Sequence, residues 1–205
     1  MWIARGRNPY QYVRDDGYIE PIGVDNGAFR DYLAGLSFDG DAFMRTLDKV
    51  SMLPHPPYLA VLPDIVGGGL ASLELSLEWL GRDLPDFPWY LAVQDGMVPD
   101  DVDPSLFSGI FLGGTNSYKA TARQWCEFAH AHNIPAHFGR CGTQAKIALA
   151  LEVGFDSLDS AVAMWTKARW RLFRESLTNG PPQQDMFYRG LSRHGARNPP
   201  TLDPT

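Results

Sequence analysis

Six short apolar runs in this chain end in the same kinds of residue. Ile22-Gly23-Val24 leads into Asp25-Asn26-Gly27, Leu59-Ala60-Val61-Leu62 into Pro63-Asp64, and Tyr90-Leu91-Ala92-Val93 into Gln94-Asp95-Gly96. Ile110-Phe111-Leu112 leads into Gly113-Gly114, Ala136-His137-Phe138 into Gly139-Arg140, and Ser157-Leu158 into Asp159-Ser160. Taken singly, each is ordinary turn chemistry, because Asp, Asn and Gly close turns. Their recurrence after six successive runs points to one shared mouth. Two carboxylates beside a sugar supply a nucleophile and an acid/base for glycosyl transfer. A further carboxylate accepts from the paired N–H donors of a guanine-like ring edge. The Gln94 amide and a glycine backbone N–H can donate to the ring oxygen. Glycines at such a mouth let a ligand approach the backbone.

The elements that must position these residues alternate along the chain. The pattern predicts strands at Trp2–Ala4, Ile22–Val24, Tyr58–Leu62, Trp89–Val93, Gly109–Leu112, Pro135–Phe138 and Ser157–Leu158. It predicts helices at Asp41–Met52, Leu70–Leu84, Lys119–His132, Thr143–Val153 and Ala161–Glu175. Leu70, Leu73, Leu77, Leu80 and Leu84 repeat every three or four residues, which makes one apolar helical stripe. Trp125, Phe128 and Ala129 make another. Strand–helix alternation of this length predicts an α/β fold with a parallel sheet. About seven strands suit a TIM-like (β/α) barrel, complete or trimmed, over residues 1–178. Such barrels carry their chemistry at the C-terminal ends of the strands. Residues 179–205, rich in Pro, Gly, Arg and Asn, read as an extended C-terminal arm or a partly disordered tail. No G-x-G-x-x-G follows the first strand, and Gly67-Gly68-Gly69 lacks the Lys-Ser/Thr of a phosphate loop.

Composition excludes several classes. With 44% hydrophobic and 20% charged residues the chain can build a normal core, so disorder is not expected. No run of 18 apolar residues exists, so no membrane span is expected. Met1–Arg7 lacks the apolar segment of a secretion signal, and two cysteines, Cys126 and Cys141, cannot staple a secreted miniprotein. A cytoplasmic, reduced protein is the expectation. The net charge of −6 argues against a general nucleic-acid coat. Its distribution is uneven. Residues 1–164 carry 11 basic and 21 acidic side chains, a net of −10, whereas residues 165–205 carry 7 and 3, a net of +4. Lys167, Arg169, Arg171 and Arg174 are therefore candidate phosphate contacts, with a solvated helix face as the alternative.

Metal chemistry is a rival. His130 and His132, two apart on a predicted helix, point about 200° from each other and do not chelate one ion. No metal and no cofactor are expected. Cys141 invites a nucleophile reading, but no base is evident beside it. His137, inside a strand, either lines the mouth or is a hydrogen-bonded core histidine. Arg140 either holds a phosphate where the next helix begins or is a plain surface arginine.

The order of motifs resembles the tRNA-guanine transglycosylase superfamily. Val24-Asp25-Asn26-Gly27-Ala28-Phe29 is similar to its Asp-Ser-Gly-Gly-Phe element, and Pro63-Asp64 to its second aspartate position. Ala92-Val93-Gln94-Asp95-Gly96 resembles its Val-Gln-Gly strand end, and Gly109 through Gly114 the glycine pair that follows. His137-Phe138-Gly139 through Asp156-Ser157-Leu158-Asp159-Ser160 resembles its Gly-x-Gly loop, helix and Gly-x-Asp-x-x-Asp run. The resemblance covers about residues 22–160. It implies that Asp159 is the nucleophile on the sugar anomeric carbon and Asp25 the acid/base. It implies that Asp64, Gln94 and the Gly113-Gly114 backbone read the base, with His137, Gly139 and Arg140 beside them. The tRNA enzymes carry three cysteines and a histidine on zinc after the nucleophile. Here both cysteines precede Asp159. The short DpdA-like enzymes that insert 7-deazaguanines into DNA are the nearer likeness. The resemblance thus implies exchange of guanine in a polynucleotide, DNA ahead of tRNA, for a free 7-deazaguanine such as preQ0. A non-catalytic purine or deazapurine binder, or an N-glycoside hydrolase on the same barrel, is the alternative.

Overall fold

The computed structural model describes residues 2–13, 15, 17, 21–161 and 165–178. Seven strands lie in it: β1 (Trp2–Ala4), β2 (Gly23–Asp25), β3 (Leu59–Val61), β4 (Trp89–Val93), β5 (Gly109–Leu112), β6 (Ala136–Phe138) and β7 (Ser157–Leu158). All neighbours pair in parallel and in chain order, β1 to β7. Six helices accompany them: α1 (Ala28–Ala34), α2 (Gly40–Ser51), α3 (Leu70–Leu80), α4 (Ala122–Ala131), α5 (Gln144–Val153) and α6 (Lys167–Thr178).

The period-2 geometry of the strands sorts their side chains into two layers. Ile3, Val24, Ala60, Leu91, Val93, Ile110, Leu112, Ala136 and Phe138 face the helices in the main core. Leu59, Val61, Tyr90 and Ala92 face the other way and pack with Trp2, Tyr58 and Phe111. This second layer shows that the sheet is curled. In a flat sheet, strands about 4.8 Å apart would hold β1 roughly 24 Å from β6. The Trp2 ring instead lies 5.3 Å from the His137 ring and 6.0 Å from Phe111. The fold is thus α/β with a curled, seven-stranded parallel sheet, and the concave side is filled by side chains.

Several expected boundaries shift for physical reasons. Helix α3 stops at Leu80, and its buried face is Ser72, Leu73, Ser76 and Trp79, so the leucine stripe is buried only in part. Leu70 and Leu77 are exposed. The serines face inward because they hold the loop after β3. Ser76 Oγ donates to the Pro63 carbonyl (2.9 Å), and Ser72 Oγ accepts from the Ile65 N–H (3.0 Å). Helix α4 begins at Ala122, after a 3-10 turn over Tyr118–Thr121, and buries Ala122, Trp125, Cys126 and Ala129. Helix α6 begins at Lys167, not Ala161, where Thr166 Oγ1 accepts from the Arg169 N–H (3.1 Å). Helix α1 has no counterpart in the sequence pattern. It is seven residues long with Tyr32 and Leu33 exposed, so no amphipathic stripe announces it. Left-handed Gly27 and Gly35 start and stop it. The expected arm, residues 179–205, lies outside the described residues. No helix among the described residues is long and apolar enough to cross a membrane.

Candidate active site

Asp25, Asp64, Gln94, Gly113, Gly139 and Asp159 all lie at or just past the C-terminal ends of their strands. The parallel, ordered sheet therefore brings them to one end. Asp25 Oδ1 accepts from the Gly27 N–H (3.0 Å). Burial raises its pKa from the ordinary value, and the Asp159 charge adds to that rise, so the two carboxylates sense each other across the curl.

Asp159 is held from two sides. Its Oδ1 accepts from the Arg140 backbone N–H (2.8 Å) and lies 3.2 Å from His137 Nε2. A carboxylate can only accept, so Nε2 donates, and Nδ1 lies 2.7 Å from the Ser157 hydroxyl. Tyr58 Oη lies 3.5 Å from the same Nδ1. The His137 ring is fully buried and stacks on Phe111 at 4.9 Å. It is thus a core histidine that also touches the mouth, which joins both alternatives the sequence left open. Both donors fall on Oδ1, which leaves Oδ2 without a hydrogen bond from the described residues.

The third carboxylate sits in an amide cluster. Asp64 Oδ1 accepts from Asn26 Nδ2 (2.7 Å), and Oδ2 accepts from Gln94 Nε2. Gln94 Oε1 in turn accepts from the N–H groups of Gly67 (3.1 Å) and Gly114 (3.0 Å). Burial pushes the Asp64 pKa up to about 6, against the lowering effect of Asn26. Asn26 was not singled out in the sequence, where it reads as a turn residue. It also caps the chain by accepting from the Ala28 N–H (2.7 Å).

The glycines have a different role from the expected one. A Cβ at Gly113 would lie 2.6 Å from Gln94 Nε2, and one at Gly139 would lie 2.5 Å from the Phe111 ring. Their lack of a side chain makes room for the protein itself. The Gly113 N–H donates to the Val93 carbonyl (3.1 Å), and the Gly114 N–H to Gln94, so both amides already have partners.

Arg140 spans the mouth. Its φ of 56° is left-handed, which is costly for a residue with a side chain. Its guanidinium donates to the Gly114 carbonyl and lies 3.9 Å from the Phe29 ring centroid. Burial lowers its pKa, while Asp159, Asp64, Asp95 and Asp25 oppose that. Arg140 is thus not a plain surface arginine. It is the counter-charge of a carboxylate cluster.

Lys119 was also missed, since a single lysine before a helix carries no signal. It is buried, donates to the Leu112 carbonyl and lies 4.9 Å from the Phe138 ring centroid. Burial pushes its pKa down to about 7. Cys141 is fully buried, and burial pushes its thiol up to about 12, so it is not a thiolate. His130 and His132 are engaged separately. His130 Nε2 pairs with Asp156 at 2.9 Å, and His132 Nδ1 donates to the Phe128 carbonyl at 2.8 Å. No group of three or more metal-ligating side chains occurs among the described residues. Of the basic candidates, Lys167, Arg169, Arg171 and Arg174 are all exposed on α6. Compared with known proteins, the chain matches no family model and no curated protein.

Proposed function

We propose that the protein is a transglycosylase on a trimmed (β/α) barrel. It would exchange guanine in a polynucleotide, DNA ahead of tRNA, for a free 7-deazaguanine. The observation that carries this reading is the unequal carboxylate pair. Asp159 has one oxygen fixed by two donors, and burial, with the Asp159 charge adding to it, raises the pKa of Asp25. A raised carboxyl pKa favours the protonated form that a general acid needs.

In the first displacement, Asp159 Oδ2 attacks the sugar anomeric carbon. The bond to the base nitrogen breaks, a bond to Oδ2 forms, and the Asp25 proton goes to the leaving base. In the second, the incoming base nitrogen attacks the same carbon, Asp25 takes its proton back and Asp159 is released. No net hydrolysis occurs. Asp64 accepts from the N–H groups of the base edge, and Gln94 and Asn26 keep its carboxylate aimed. The flat face of the base takes the place of the Arg140 guanidinium against Phe29. Lys167, Arg169, Arg171 and Arg174 contact phosphates.

Incubation with DNA or tRNA and several 7-deazaguanines, then digestion and mass spectrometry of the nucleosides, tests the reading. A deazaguanine nucleoside is the expected product. Free guanine with an abasic sugar would mean a hydrolase instead, and tight deazapurine binding with no new nucleoside would mean a binder.

A further inference from the structure

We propose that the exposed flank of α6, with Trp165 before it, is a stacking track for the unpaired bases of single-stranded nucleic acid. The inference rests on the polynucleotide reading above and adds the strand state. Trp165 is 66% exposed and Trp170 46%. Leaving such rings in water forfeits about 25 cal/mol per Å² of burial, so an exposed pair calls for a use. The helix has already spent its apolar face on the body, because Phe173 and Leu177 pack against the main core. What remains outside is Leu172 together with aromatic and cationic side chains. At 3.6 residues per turn, Lys167, Trp170, Arg171 and Arg174 fall within an arc of roughly 100°. Arg169 lies 4.9 Å from the Trp165 ring centroid, roughly 100° further round the helix from Trp170.

Charge selects the occupant. Residues 167–178 carry four cations and Glu175, a net of +3, on a chain whose first 164 residues carry −10. Residues 179–205 carry three arginines and two aspartates, a net of +1, so the chain's own end has no charge to match the track. A polyanion does. Position also fits. β7 ends next to Asp159, and a helix that follows a barrel strand starts at the strand's C-terminal end. Trp165 follows Asp159 by six residues, so at most about 21 Å of chain separates them. Aromatic rings take bases only where the bases are unstacked, which a duplex forbids. A base must leave its stack to reach a barrel mouth, so an unpaired track beside it suits the task. A membrane surface fits less well, since insertion needs a free apolar face and Phe173 and Leu177 are half-buried against the body.

Fluorescence anisotropy of the full chain with a labelled oligothymidine of about 16 nucleotides, and with a duplex of equal length, tests this. The single strand should bind more tightly. Trp165→Ala and Trp170→Ala should each weaken it roughly tenfold with little change in the salt slope. Arg171→Ala with Arg174→Ala should instead lower both affinities and the slope by about one unit per contact. Both tryptophans are exposed, so circular dichroism should show the fold unchanged. Equal binding of both strands with unaffected tryptophan variants would overturn the track, as would capture by anionic phospholipid vesicles without oligonucleotide binding. Single-strand binding that needs the tryptophans, without base exchange, would keep the track and remove the transglycosylase reading. Exchange that survives loss of both tryptophans, with unaltered binding, would remove the track alone.

Discussion

At the scale of single residues, the site depends on which groups already have partners. Asp156 and Asp159 lie three apart, and a strand sends them to opposite sides. Asp156 Oδ2 accepts from the Ala136 N–H (2.8 Å) and pairs with His130, away from the strand ends where Asp159 sits. Asp159→Ala should therefore abolish exchange while free-base binding survives. A denaturing gel of the wild type with polynucleotide and no incoming base should show an adduct mapping to Asp159. An adduct on Asp156 would refute the assignment. His137→Phe keeps the stack on Phe111 but removes the donor to Asp159 Oδ1. A lost hydrogen bond to a charged group is worth about 1.5–3 kcal/mol, so kcat should fall by roughly ten- to a hundredfold. His137→Gln, which keeps a donor, should recover part of that rate, and equal rates in the two variants would make the histidine merely structural. Asp64 sets a pH dependence. Its folded pKa of about 6 lies above the ordinary 3.8, so its protonated form is favoured by folding. That stabilising contribution is fully present below pH 3.8 and is lost as the pH rises through 6, at a cost of about 3 kcal/mol. Base affinity should move the other way, rising through pH 6 as the acceptor forms. Asp64→Asn should lower affinity about tenfold or more and flatten that rise in a calorimetric titration.

At the scale of elements, α3 shows what a stripe of leucines leaves out. Ser72 and Ser76 are fully buried, while Leu70 and Leu77 on the nominal apolar stripe are exposed. The sheet face of α3 is occupied by hydroxyls because the loop carrying Asp64 has backbone groups to satisfy. Ser76→Ala should cost about 1 kcal/mol and Leu77→Lys less than about 0.5 kcal/mol in thermal melts, the reverse of what the stripe implies. Helix α4 is tied at its far end by His130, whose hydrogen bond to Asp156 raises its pKa to about 10. A histidine raised on folding contributes fully below its ordinary 6.5, and that contribution fades as the pH rises through 10. The ring is partly exposed, which limits the effect. The gap in Tm between wild type and His130→Ala should be widest at pH 6 and close above pH 10.

At the scale of the molecule, the curl of the sheet is what makes Asp25 and Asp159 neighbours. They sit on β2 and at the end of β7, with four strands between them. Trp2 links the two sides by its contacts with His137 and Phe111, and it also fills the space over Gly23. Trp2→Ala should cost about 2–3 kcal/mol, below the range for a fully buried tryptophan, and slow exchange although Trp2 touches no substrate. An unaltered rate in a folded Trp2→Ala protein would show that the curl does not depend on this ring.

The sequence by itself determined the parallel alternation, the positions of the seven strands within one or two residues, and the Asp, Gln or Gly at or after the ends of six of them. Those depend on local periodicity and turn chemistry, which neighbours in the chain can specify. It did not determine α1, the serine face of α3, the burial of Lys119 or the place of Arg140. Nor did it show that the Gly113 and Gly114 amides have partners inside the protein. Each of these depends on groups far apart in the chain: Arg140 on Phe29 and Gly114, Asp64 on Asn26 and Gln94, Lys119 on Leu112 and Phe138. Only when the sheet curls do these polar groups meet away from water, and there each must find a hydrogen bond or an opposite charge, whatever its local sequence favours.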